Sequence, residues 1–148
     1  MIQSSYTIMK VYKSSSLEDT KNIALSLSDI LNGDELLCLN GDLASGKTTF
    51  LQYLALSLGV KGNILSPTFV IRSDHKGQND LWLYHFDLYR LDFQNEIEPT
   101  GFFDVLGKGI VAVEWANKFP EVFSDTSRYD INFRILSDTE RSIEICKY

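Results

Sequence analysis

Gly41-Asp42-Leu43-Ala44-Ser45-Gly46-Lys47-Thr48-Thr49 is the stretch that decides how the rest of the chain is read. It contains the pattern G-x-x-x-x-G-K-T, with Gly41, Gly46, Lys47 and Thr48 at the fixed positions. An apolar run, Leu36-Leu37-Cys38-Leu39, precedes it. Phe50-Leu51-Gln52-Tyr53-Leu54-Ala55-Leu56 follows, with apolar residues at helical spacing. Strand, glycine-bounded loop and helix form the context that a phosphate-binding loop requires. Backbone N–H groups in such a loop converge on an anion, and the helix N-terminus behind them adds partial positive charge. Lys47 is then placed to reach the outer phosphates, and the Thr48 hydroxyl to bind the accompanying magnesium. The competing reading, a chance match in a turn before a helix, does not account for both flanks.

Working outward, Tyr6–Tyr12 is rich in β-formers and predicts a strand near a sheet edge. Ser16 with Asp19 resembles a capping box and predicts a helix over Leu17–Leu31, with Ile23, Leu27, Ile30 and Leu31 on its buried face. Asn32-Gly33-Asp34 is its stop. Leu36–Asn40 is the strand leading into the loop, and the helix after the loop ends near Leu58-Gly59. A strand is expected from Phe69 to about Ser73, a polar hairpin loop over Asp74–Asp80, and a return strand over Leu81–Asp87. Phe93–Ile97 and Phe102–Leu106 suit short helices. Gly109–Trp115 is a continuous apolar run ending in acid, as in a strand covered on both faces. Ala116–Phe123 is a short connector or helix. Tyr129–Ile135 and Arg141–Ile145 alternate and pair as a terminal hairpin. The pattern predicts one α/β domain over residues 1–148. The expected fold is a single P-loop NTPase-like domain, with a mixed, mostly parallel sheet, helices on both faces and a C-terminal β-hairpin.

The bulk properties narrow the function. The chain has 148 residues, 44% hydrophobic and 23% charged, and a net charge of −6. This suits a soluble globular domain and argues against a surface that grips nucleic acid unaided. Cys38 and Cys146 are far apart and form neither a disulfide framework nor a zinc pattern. No apolar run reaches membrane length and no signal segment stands at the start, so a cytoplasmic location without membrane attachment is expected.

Phosphate-loop enzymes need carboxylates to manage magnesium and the attacking group, commonly at the end of a buried strand. Asp87 and Glu114 fit, although either could instead be a solvated strand end. Thr68 is a candidate switch residue for the γ-phosphate, or an ordinary turn hydroxyl. His85 lies two residues before Asp87, so both project from one strand face. Trp115, directly after Glu114, could flank the nucleotide or serve as core.

GDLASGKTTF (41–50), SPTF (66–69), HFDLYRL (85–91) and VEW (113–115), in this order, resemble the TsaE family of small bacterial ATPases in tRNA threonylcarbamoyladenosine biosynthesis. HFDLYRL is far more specific than the loop. The resemblance implies ATP binding by Asp42, Leu43, Ala44, Ser45, Gly46, Lys47, Thr48 and Thr49. It implies that Asp87 and Glu114 manage magnesium and the attacking water, without settling which ligates the metal. Thr68 gains weight as a switch element, and Thr20 matches a threonine near the adenine. The implied partners are the TsaB and TsaD proteins, with tRNA reached only through that complex and no DNA. One departure stands out: Ala44 occupies a position where the family usually has glycine.

Three rival readings are weighed. A GTPase is suggested by Asp104-Val105-Leu106-Gly107 and by Asn117-Lys118. Pro120, however, stands where an aspartate would read guanine, and Asp104 does not end an apolar strand. A small-molecule kinase would carry an arginine-rich lid, whereas Arg72, Arg90, Arg128, Arg134 and Arg141 are scattered. A nucleotide-gated regulatory subunit with little intrinsic hydrolysis would differ only in what ATP is for.

Overall fold

The computed structural model describes residues 8–64 and 70–148. At its centre is β2 (Leu36–Asn40), bounded as the apolar run predicts, with its first four residues buried. It lies parallel between β5 (Ile110–Glu114) and β6 (Tyr129–Ile135). Beyond β5 comes β4 (Trp82–Asp87), parallel, and then β3 (Arg72–Lys76), antiparallel at the sheet edge. On the other side β7 (Arg141–Lys147) runs antiparallel to β6, and β1 (Ile8–Ser14) closes that edge. The order is β1-β7-β6-β2-β5-β4-β3. All strands except β3 and β7 run in one sense.

The period of two along the central strands divides the core. Leu37, Leu39, Ala112 and Ile131 face α1 (Leu17–Ser28) and α2 (Lys47–Ser57), meeting Ile23, Ala24 and Leu27 of α1 and Phe50, Leu51 and Leu54 of α2. Leu36, Cys38, Val111 and Val113 face the opposite way. They are covered by Phe102 and Val105 of α3 (Phe102–Val105) and by Phe123 of α4 (Pro120–Phe123). Helices thus lie on both faces, and every residue of β5 is buried between them. Cys38 and Cys146 are buried free thiols. Burial pushes both up in pKa, Cys146 to about 11, so neither is a ready thiolate.

Several expectations shift. Helix α1 ends at Ser28 rather than Leu31, and Ile30 is 58% exposed instead of buried. The Glu35 carboxylate accepts from the N–H groups of Asn32, Gly33 and Asp34, so the chain turns before the apolar period runs out. At the other end Ser16 caps Asp19 N–H, but the short Asp19 side chain takes the N–H of Ser15 rather than that of Ser16. Strand β3 begins at Arg72 rather than before Ile71 and takes in His75 and Lys76, because its partner Trp82–Asp87 sets the register; Phe69 lies outside the described residues. The loop it leaves is short, with Asn79 and Asp80 at positive φ. The expected strand at Tyr6–Tyr12 continues to Ser14, while Tyr6 and Thr7 lie outside the described residues. A turn of 3-10 helix, Glu98–Thr100, occupies the expected break around Pro99.

Register positions the site. Leu39 on β2 pairs with Glu114 on β5, and Glu114 pairs with Asp87 on β4. The loop after β2 and both carboxylates therefore share the C-terminal edge of adjacent parallel strands, where open α/β sheets bind ligands.

Candidate active site

The loop from Gly41 to Thr48 is shaped by its glycines. Gly41 has φ 157, and a Cβ there would come within 2.8 Å of the Phe133 backbone carbonyl oxygen. Gly46, at φ 104, is the N-cap of α2 and brings no side chain to its first N–H groups. This leaves the helix N-terminus to be satisfied by something else, as an anion would do. Ala44 sits at φ 62, a left-handed conformation that favours glycine. Asp42, Leu43 and Ala44 are exposed on the outside of the loop, and Ser45 is buried beneath it.

Lys47 is buried and folded back over the loop. Its Nζ donates to Gly41 O at 2.7 Å and Asp42 O at 2.9 Å, and lies 4.2 Å from the Trp115 ring centroid. Burial lowers its pKa, while the charges of Glu114, Asp87 and Asp42 act in the opposite direction. Trp115 itself holds φ 62, and its N–H donates to Leu39 O, which turns the chain at the end of β5 over the loop.

Next along α2, Thr48 Oγ1 donates to Glu114 Oε1 at 2.8 Å. The second carboxylate oxygen of Glu114 lies 2.6 Å from His85 Nε2. His85 and Glu114 are both almost wholly excluded from solvent. Asp87, beside Glu114 in register, accepts from Tyr89 N–H at 3.0 Å. Lys47, Thr48, His85, Asp87, Glu114 and Trp115 are thus brought together. Thr68 lies outside the described residues.

Thr20 is on the other side of the loop. It is buried, bonds Ser14 Oγ at 2.7 Å, and lines a cavity of about 330 Å³ together with Ala44, Ser45, Gly46 and Thr49. A cavity opening beside the helix N-terminus has room for the rest of a phosphate-bearing molecule. Arg141 of β7 reaches the same place, with Nη2 at 3.4 Å from Ala44 O. The sequence alone singles out neither Arg141, one of several scattered arginines, nor Asn40, whose side-chain amide N–H donates to Asn132 Oδ1 and whose Oδ1 accepts from Asn117 N–H. The available signal was a polar residue ending an apolar strand directly before the loop.

Among the described residues, no group of three or more His, Cys, Asp or Glu side chains is arranged to hold a metal. Magnesium bound with phosphates takes only one or two carboxylates and keeps several waters, and Thr48 with Asp87 and Glu114 fits that need. The GTPase decoys are separated: Asp104 lies on α3, and Lys118 Nζ donates to Tyr89 O and Leu91 O.

A glycine-bounded loop between a central parallel strand and a helix, facing carboxylates on the neighbouring strand ends, defines a phosphate-loop NTPase-like fold. The family described as "Threonylcarbamoyl adenosine biosynthesis protein TsaE" matches residues 14–143. The chain belongs to this family. It is 35% identical to the tRNA threonylcarbamoyladenosine biosynthesis protein TsaE of Treponema pallidum, over 89% of this chain and 96% of that protein. Identity to the protein of the same name from Bacillus subtilis is 37%, over 85% of this chain and 78% of the relative. The crystal structure of YdiB from Bacillus subtilis superposes with a TM-score of 0.74 at 28% identity, covering 98% of this chain and 88% of that one. No helix among the described residues is long and apolar enough to cross a membrane.

Proposed function

We propose that this protein binds ATP with magnesium and hydrolyses it to support tRNA threonylcarbamoyladenosine modification, acting with TsaB and TsaD in the cytoplasm. The observation that carries the reading is the 2.8 Å bond from the Thr48 hydroxyl at the head of α2 to Glu114 on the neighbouring strand. It joins the phosphate end of the site to its carboxylates, and Asp87 stands beside it in register. Residues 42–49 cradle the phosphates through backbone N–H groups and the α2 N-terminus. Lys47 exchanges its carbonyl contacts for phosphate oxygens. The nucleoside lies toward Thr20, in the cavity beside the loop.

Thr48 and the carboxylates Asp87 and Glu114 would hold magnesium, which when bound neutralises charge developing on the phosphates. Water attacks the γ-phosphorus in line. The bond to the bridging oxygen breaks toward ADP, and the water proton passes to a carboxylate or to phosphate oxygen. Glu114 and Asp87 orient the attacking water. Thr68, which the family resemblance marks as a switch element, would respond to the γ-phosphate. A net charge of −6 supports a role exercised through protein partners, with tRNA engaged through them.

Lys47→Ala should abolish nucleotide binding, measured by titration with a fluorescent ATP analogue. Glu114→Ala should keep ATP binding and lose phosphate release. Unchanged affinity in the first and an unchanged rate in the second would sink the assignment. Co-purification with TsaB and TsaD, with and without ATP, tests the partnership. Association indifferent to nucleotide would argue for a different role.

A further inference from the structure

His85 lies on β4, two residues before Asp87, with no exposed surface. Its Nε2 is 2.6 Å from Glu114 Oε2, and its Nδ1 has no hydrogen-bond partner among the described residues. These two facts restrict where the imidazole proton sits. A hydrogen on Nδ1 would be a buried N–H with no acceptor among the described residues. Such groups are rare because they lose water and gain nothing. With the hydrogen on Nε2 alone, the ring donates to a carboxylate oxygen and leaves only a lone pair unpaired.

We infer that His85 is a positioning residue, an Nε2–H donor that fixes Glu114 so that its other oxygen accepts the hydrogen bond from the Thr48 hydroxyl. The consequence is directional. With its proton committed to Glu114 at 2.8 Å, the Thr48 oxygen turns its lone pairs away from Glu114 and toward the phosphate side of the loop. His85 thus sets the acceptor character of a hydroxyl that it does not touch, through one carboxylate. Partners of this kind orient ligating groups elsewhere, and their loss typically costs about 10–100-fold in metal affinity or activity. The proposal rests on the ATPase reading for its effect on rate, but not for the tautomer itself.

Gln and Asn separate the two ring nitrogens. The Gln amide nitrogen can stand where Nε2 stands, whereas the shorter Asn amide mimics Nδ1 and falls short of Glu114. Nitrogen-15 NMR of the imidazole in nucleotide-free protein should show a protonated Nε2 and a bare Nδ1. His85→Asn should lower kcat and magnesium-dependent ATP affinity by about 10–100-fold, and His85→Gln should restore most of both. Urea unfolding of each variant identifies any that is merely unfolded. A protonated Nδ1 would overturn the proposal, as would a folded His85→Gln no better than His85→Asn. If wild-type protein, alone or with its partners, turns over no ATP, the ATPase reading fails instead, and the NMR result still decides the tautomer.

Discussion

Replacing Ala44 with glycine should stabilise this protein, although the same exchange at an exposed site normally does the reverse. Ala44 holds φ 62 within the phosphate loop. An L-residue in that region carries a steric cost of roughly 1–2 kcal/mol from its Cβ. Glycine removes the cost but adds about 0.4–1 kcal/mol of chain entropy to the unfolded state. The Ala44 side chain is exposed, so no burial is lost, and the Arg141 contact is made to the Ala44 backbone carbonyl, which glycine keeps. The two conformational effects oppose each other and leave a net gain of about 0–1.6 kcal/mol, about 0.8 at mid-range. With a urea m-value of about 1–3 kcal/mol/M, the unfolding midpoint should rise by about 0.2–1 M at unchanged slope. Gly46→Ala is the mirror experiment. Nothing lies within 4 Å of a Cβ added there, yet φ is 104, so the backbone alone should cost roughly 1–2 kcal/mol. A midpoint for Ala44→Gly that falls by the ordinary glycine penalty would refute the reasoning and show that the loop relaxes around its alanine.

Gly41→Ala should be far worse than Gly46→Ala, because its Cβ would meet the Phe133 carbonyl at 2.8 Å in backbone that cannot step aside; equal Tm values for the two variants would count against this. A double-mutant cycle of Thr48→Val and Glu114→Ala, read from urea midpoints without nucleotide, should give a coupling of about 1.5–3 kcal/mol, as for a hydrogen bond to a charged group. Additive effects would mean that the bond contributes nothing. His75 has its pKa lowered, chiefly by burial. The unfolded chain therefore binds the proton more readily, and stability should be full above the ordinary histidine range and decline as pH falls through it. His75→Gln should flatten that part of the profile between about pH 5 and 7, and an unchanged profile would show that another group is responsible.

The parts of this molecule legible in the sequence are those whose cause is local. Strand β2, the loop and α2 are set by an apolar run, two glycines and a helical period that follow one another, and their limits come out as read. Glu35 shows where locality fails: α1 stops short because a carboxylate beyond its end collects three N–H groups, and no periodicity within the helix reports that. Strand β3 is polar throughout, as an edge with little to bury can be, so it has no apolar pattern to reveal its limits.

The site divides in the same way. That Asp87 and Glu114 end buried strands could be read from each strand alone. That they are neighbours, with Glu114 also opposite Leu39, follows only from the order β2-β5-β4. The contacts that join the loop to the rest of the molecule span the chain: Thr48 to Glu114, Asn40 to Asn132 and Ala44 to Arg141. None belongs to a contiguous motif, and each depends on strand register. Slipping a strand by one residue would turn its side chains to the opposite face, so the register that buries Val111 and Val113 on one face is the same register that aims Glu114 at Thr48. The hydrophobic pattern of β5 therefore does more than hold the sheet together. By fixing which face Ala112 and Glu114 share, it places the carboxylate, and a change in β5 packing far from any motif should disturb the site through that register.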